Sequence, residues 1–120
     1  RTLRYVNAGH TPPSLAMDNT LVHLSKGCTV LGAFDELPFV EEGSLHLPQE
    51  ALILMSTDGL TELKNDKDEF IDDQFEENFL LLNYRLSASS FNKKLMLEIE
   101  QFNGRVGFQD DFTVLTCKIF

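Results

Sequence analysis

Ala51-Leu52-Ile53-Leu54-Met55-Ser56-Thr57-Asp58-Gly59 is a continuous aliphatic run that ends in two hydroxyls, an acid and a glycine. Consecutive apolar residues with no polar alternation predict a strand buried on both faces. The switch to Ser-Thr-Asp-Gly predicts where it stops, so Asp58 stands at the end of a central strand. Working backwards, Leu3 and Tyr5, then Leu15 and Met17, then Leu21 and Leu24, fall in short alternating runs separated by Asn7 to Pro13 and by Asp18-Asn19. These predict three short strands joined by turns. Ser25 to Gly43 has no sustained period and reads as a loop, and Ser44 to Leu47 alternates again until Pro48 ends it. Downstream the period changes. Phe75, Phe79, Leu82 and Leu86 are spaced i, i+4, i+7, i+11, a helical stripe, with Asp72 and Asp73 suited to its positive N-terminal end. Phe91, Leu95, Ile99 and Phe102 predict a second helix, with Ser87, Ser89 and Ser90 as cap candidates and Gly104 as its stop. Phe112 to Phe120 closes the chain as a last strand, with Leu115, Cys117 and Ile119 on one face. The sum is one α+β domain over residues 1–120: antiparallel strands with a helical pair on one side.

The 120 residues, 42% apolar, supply one core and not two. A net charge of −9 repels phosphate backbones, which argues against binding DNA or RNA. No apolar run approaches the roughly 20 residues of a membrane span, so no membrane contact is expected. Arg1 starts the chain with no leader-like segment and almost immediately enters a strand pattern, which reads as a cut inside a larger polypeptide. Cys28 and Cys117 form no CxxC pair and lie in apolar sequence. They are expected to be buried free thiols of a reducing cytoplasm.

Nine acidic residues lie between Asp58 and Glu77 against only Lys64 and Lys67. Most are expected to form a solvated face. Asp66-x-Asp68 hints at a calcium loop, but Phe70 and Ile71 stand where a liganding side chain and the turn glycine belong. Asp58 and the pair Asp110-Asp111 differ because each adjoins the end of a buried strand. A carboxylate beside a dry core is costly unless a cation or donors compensate it. Two such strand ends meeting would offer hard oxygen ligands suited to Mg²⁺ or Mn²⁺, while an ordinary turn and a strand cap are the structural alternatives. The histidines, His10, His23 and His46, have no zinc spacing. Ser56 lacks a nucleophile elbow, and the glycines form no phosphate-binding loop.

Tyr5-Val6-Asn7-Ala8-Gly9-His10 with Pro12-Pro13, Leu31-Gly32, Leu54 to Glu62 around Thr57-Asp58-Gly59, and Asp110-Asp111-Phe112-Thr113-Val114-Leu115 occur in that order. This ordered set resembles the metal-dependent PPM-type serine/threonine phosphatases, in the branch of bacterial sporulation stage II protein E and the sigma-factor regulators. The resemblance implies part of a β-sandwich with flanking helices. It implies hydrolysis of phosphoserine or phosphothreonine on a regulatory protein, an anti-sigma-factor antagonist in the cytoplasm, by water activated between two Mg²⁺ or Mn²⁺ ions. Asp58 and Asp110 would be metal ligands, Asp111 a supporting residue behind them, and no protein nucleophile is needed. Asn7 to His10 would be a tight turn shaping the fold near the site, with Gly9 there for backbone freedom. The family's other metal carboxylate, in a Gly-Asp motif, lies upstream of the Asn-Ala-Gly-His motif. The chain thus corresponds to the C-terminal portion of the domain, lacking its N-terminal strands and helices. Weak or no activity and self-association are expected of it alone. A noncatalytic interaction module that keeps the fold is the alternative.

Overall fold

The computed structural model describes residues 1–108 and 110–120. Its centre is a four-stranded antiparallel sheet. The strands are β3 (Ser14–Met17), β4 (Thr20–His23), β7 (Ala51–Ser56) and β8 (Val114–Ile119), in the order β4-β3-β7-β8. The β3–β4 hairpin turns through Asp18 and Asn19 at φ 48° and 58°. That left-handed pair is the backbone of a two-residue hairpin turn, and Asn and Asp tolerate it best among non-glycine residues.

As the unbroken aliphatic run requires, β7 is central: Leu52 and Leu54 face one side of the sheet, Ala51 and Ile53 the other. Two helices, α1 (Phe75–Asn83) and α2 (Ala88–Asn103), cover the first side. There Leu52 and Leu54 share a core with Phe79, Leu80, Phe91, Leu95 and Ile99, and the Phe79 and Phe91 rings meet edge to face at 5.1 Å. On the second side lies an antiparallel ribbon of β1 (Thr2–Tyr5) and β6 (Gly43–His46). Leu3, Tyr5 and Leu45 of this ribbon pack on Leu15 and Ile53 of the sheet. Arg4 and Glu42 brace it with a paired-fork salt bridge, each side chain shifting the other's ionisation toward the charged form.

The segment read as a loop, Ser25 to Gly43, contains one short pairing: β5 (Gly27–Cys28) runs parallel to β2 (Asn7–Ala8). Gly27 makes it possible, because a Cβ there would lie 1.8 Å from the Asn7 carbonyl oxygen. Helix termini follow the cap chemistry of the sequence. The Ser87 side chain accepts from the Ser90 N–H, and Gly104 at φ 65° ends α2.

Two expectations, the place of Leu82 in the apolar stripe and the burial of both thiols, need correction. Leu82 is 84% exposed, because the sheet-facing side of α1 is Phe79, Leu80 and Asn83. At about 100° per residue Leu82 falls roughly 60° round from Phe79 on the side away from Leu80, which turns it to the solvent flank. Asn83 takes the inward position because its amide donates to the Phe79 carbonyl at 2.8 Å and its oxygen accepts from Lys94 at 2.8 Å. A count of apolar periodicity does not register such a residue. Leu115, Cys117 and Ile119 share a face of β8, as expected; it is the face turned away from the helices, and Leu115 is 58% exposed. The helix-facing residues of β8 are Val114, Thr116 and Lys118. The Lys118 side chain is 5% exposed, and its ammonium donates to Glu50 and to the Tyr84 carbonyl, both at 2.6 Å. Cys117, on the outer face of β8, is exposed and Cys28, on β5, is half-buried, so neither is the buried thiol expected.

No described helix is long and apolar enough to cross a membrane.

Candidate metal centre at the strand ends

The end of β7 and the approach to β8 meet. Beyond Ser56 the chain turns into a short 3₁₀ segment, Asp58–Leu60, whose start is tied to the other strand by two hydrogen bonds. The Thr57 N–H donates to the Thr113 carbonyl at 3.1 Å, and the Thr113 N–H donates to the Thr57 hydroxyl at 2.9 Å. Gly59 is packed so closely that a Cβ there would lie 2.7 Å from the Asp111 carbonyl oxygen and 2.9 Å from Phe112 Cβ. Thus Asp58 and Asp111 sit on two backbones in direct contact, and Asp110 immediately precedes Asp111. Beside them the Phe108 and Phe112 rings meet edge to face at 5.1 Å. A hollow of about 340 Å³ opens between this loop and α2, lined by Asp110, Asp111, Phe108, Phe112, Asn92 and Met96.

A third element reaches Asp58. Asn7 builds the turn that follows it: the His10 N–H donates to the Asn7 side-chain oxygen at 2.9 Å, and the Asn7 amide donates back to the His10 carbonyl at 2.9 Å. Gly9 at φ 89° takes the left-handed step the turn needs, with Val30 filling the space a side chain would use. The next residue, Thr11, places its hydroxyl 3.1 Å from the Asp58 carboxylate, to which it donates. Sequence reading assigned the Asn7–His10 motif its turn, but passed over Thr11. Its only signal is adjacency to that motif.

Asp58, Asp110 and Asp111 are all exposed. These carboxylates therefore border solvent and not a dry core, and no cation is needed to offset burial. What remains is donor chemistry: carboxylate oxygens on converging strand ends, with no thiolate or imidazole among them, fit a hard divalent cation such as Mg²⁺ or Mn²⁺. Among the described residues, no group of three or more His, Cys, Asp or Glu is placed to hold a metal ion. The two ligand candidates, Asp58 and Asp110, thus form at most part of a site.

Of the remaining acids of Asp58 to Glu77, all but Glu76 and Glu77 are exposed, as a solvated face predicts. Asp68 pairs with Lys64 at 2.7 Å, Glu77 with His23 at 3.2 Å, and Asp72 accepts from the Gln74 N–H at 2.7 Å. Ser56 donates its hydroxyl to Glu76 at 2.7 Å, whereas His23 lies 3.2 Å from Glu77 and 3.4 Å from the Ser14 hydroxyl, so Ser56 has no histidine partner there.

The architecture is that of the PP2C phosphatases. The SiaA-PP2C domain of Pseudomonas aeruginosa superposes with a TM-score of 0.78 at 17% identity, covering 100% of this chain and 47% of that one. The PP2C phosphatase domain of SpoIIE from Bacillus subtilis, solved with a fragment of its regulatory domain, matches at TM-score 0.68 and 20% identity, covering 99% and 34%. A Mn-presoaked crystal of the Bacillus subtilis SpoIIE phosphatase domain matches at 0.62 and 19%, covering 99% and 56%. The chain spans about half the length of these structures, or less. Its sequence matches the family model of stage II sporulation protein E (SpoIIE) over residues 1–120, and the chain belongs to that family. Among curated proteins, no sequence matches it significantly.

Proposed function

We propose that this chain is the C-terminal portion of a cytoplasmic, Mg²⁺- or Mn²⁺-dependent phosphatase domain acting on phosphoserine or phosphothreonine of a regulatory protein, an anti-sigma-factor antagonist. The observation that carries the reading is the contact between the Asp58 turn and the Asp111–Thr113 segment, which joins two family motifs through residues such as Thr57 and Thr113, 56 positions apart. A divalent cation, when bound, supplies positive charge for the phosphoryl oxygens and an activated water. The chain's own part is to hold the cation through Asp58 and Asp110. Thr11 orients the Asp58 carboxylate, and Asp111 backs the pair through its carbonyl contact with Gly59. No side-chain nucleophile is required. In the complete domain, a phosphoseryl substrate protein should be dephosphorylated with Mn²⁺ and not after chelation. Asp110→Asn should raise the Mn²⁺ concentration needed by at least about 10-fold. Turnover that survives chelation would overturn the metal-dependent reading.

The rival reading is a noncatalytic interaction module. Its mark would be decay of the metal carboxylates, and Asp58 and Asp110 are both present in this chain. The two readings part on whether the complete domain turns over substrate at all. Under the phosphatase reading the isolated 120 residues should be weakly active or inactive. They should also self-associate, because β8 is an edge of the sheet and presents the exposed Leu115 and Cys117 on its outer face. Light scattering on the isolated chain reads this directly; a monomer with full turnover would contradict it.

A further inference from the structure

Asp66 lies in the acidic stretch, yet its carboxylate does something its neighbours' do not. It accepts a hydrogen bond from the Arg105 backbone N–H at 3.0 Å, across 39 residues of sequence. It is also packed against Gly104, where a Cβ would lie 2.8 Å from both carboxylate oxygens. Gly104 and Arg105 form the exit from α2, just ahead of the loop that carries Asp110 and Asp111. The support beneath Asp66 is firm. The Asn65 side chain accepts from the N–H groups of Lys67 and Glu69, Lys64 bridges to Asp68, and Lys64 and Phe70 pair as an isolated bridge. This hairpin follows the Asp58 turn after only a few residues and packs by Leu63 and Ile71 into the core.

Helix electrostatics do not account for the contact. The carboxylate sits at the C-terminal end of α2, where the partial charge is negative, so an anion there is opposed rather than favoured. What it secures is the position of a backbone. It ties down Arg105 ahead of the acidic pair, the Phe108 and Phe112 rings meet on either side of that pair, and the Gly59 contact meets Asp111 and Phe112 from the other strand end.

We infer that Asp66 is a positioning residue that couples the two halves of the site, fixing the α2–β8 loop, and with it Asp110 and Asp111, relative to the hairpin that follows Asp58. The inference rests on the metal-dependent phosphatase reading.

The test is Mn²⁺ titration calorimetry on the complete phosphatase domain, with Asp58→Asn measured alongside. Asp66→Ala should weaken Mn²⁺ binding about 10-fold, the size of effect seen when a residue orienting a metal ligand is lost. Its Tm should move by no more than about 4 °C. Asp66→Asn keeps an acceptor oxygen for the Arg105 N–H and should bind within about twofold of the parent. Unchanged affinity in Asp66→Ala while Asp58→Asn loses affinity would overturn the coupling and leave the metal reading standing. Equal losses in the Ala and Asn variants would also overturn it, since they would report charge rather than position. Unchanged affinity in Asp58→Asn would remove the metal reading itself, and the coupling with it. Should Asp66→Ala not fold, Asp66→Glu serves. It keeps the charge but displaces the acceptor, and it should bind Mn²⁺ more weakly than Asp66→Asn; the reverse order refutes the inference.

Discussion

Asp58→Asn in the complete phosphatase domain should lower kcat/KM for a phosphoseryl protein at least about 100-fold at fixed Mn²⁺, equivalent to about 2.7 kcal/mol of transition-state stabilisation. The substitution is close to isosteric. It keeps a side-chain oxygen for the Thr11 hydroxyl and leaves untouched the Thr57–Thr113 pairing that places the turn. It removes one negative charge from an exposed position that no described cationic side chain neutralises through a salt bridge or hydrogen bond. Folding should therefore be unaffected while affinity for a divalent cation falls. The result that decides is a pair of measurements, activity against Mn²⁺ concentration and the thermal midpoint. Activity lost at an unchanged midpoint, and partly restored by excess Mn²⁺, is the signature of a ligand. An unchanged rate would mean that Asp58 ends a strand and does no more.

The strands and helices were legible in the sequence to the extent that their inward residues are apolar. The run Ala51 to Met55 announced the central strand, and Phe91, Leu95 and Ile99 announced α2, because each buries only hydrocarbon. Reading failed where a polar side chain turns inward with its partners supplied by distant elements. Asn83 displaced Leu82 from the predicted stripe, and Lys118 occupies a helix-facing position of β8 that period alone would assign to an apolar residue. Their partners, Lys94, Glu50 and the Tyr84 carbonyl, are fixed by topology and not by local spacing. The candidate site divides in the same way. Asp58 and Asp110–Asp111 stood out as acids at strand ends, and the structure brings their backbones together. The energetic reason offered, burial, was wrong, because a strand end projects into solvent even when the strand itself is covered on both faces. Thr11 and Asp66 could not be found by spacing at all. One contacts a residue 47 positions away and the other a residue 39 positions away, and each lies in sequence that reads as an ordinary turn.

Gly59→Ala should be costly in both stability and activity, which distinguishes it from Asp58→Asn. Gly59 does not need a left-handed backbone; it needs the absence of a side chain. The added methyl would meet the Asp111 carbonyl oxygen at 2.7 Å and Phe112 Cβ at 2.9 Å, and both belong to or sit on the backbone, so no rotamer change relieves the clash. Either the 3₁₀ turn or the approach to β8 must move, straining the two hydrogen bonds between Thr57 and Thr113. Overpacking of this kind costs about 1–3 kcal/mol, which should lower the thermal midpoint of the complete domain by several degrees. Activity should fall further than stability explains. A displacement of about 1 Å between groups that must act together can cost roughly 100-fold in rate, and here the displaced segments carry Asp58 on one side and Asp110 and Asp111 on the other. Comparing the two variants at a temperature where both are folded separates the effects: Asp58→Asn removes a charge from an intact frame, whereas Gly59→Ala keeps every carboxylate and spreads the frame. If Gly59→Ala changed neither midpoint nor rate, the two strand ends would not be in contact in solution, and the site would have to be sought elsewhere on the sheet.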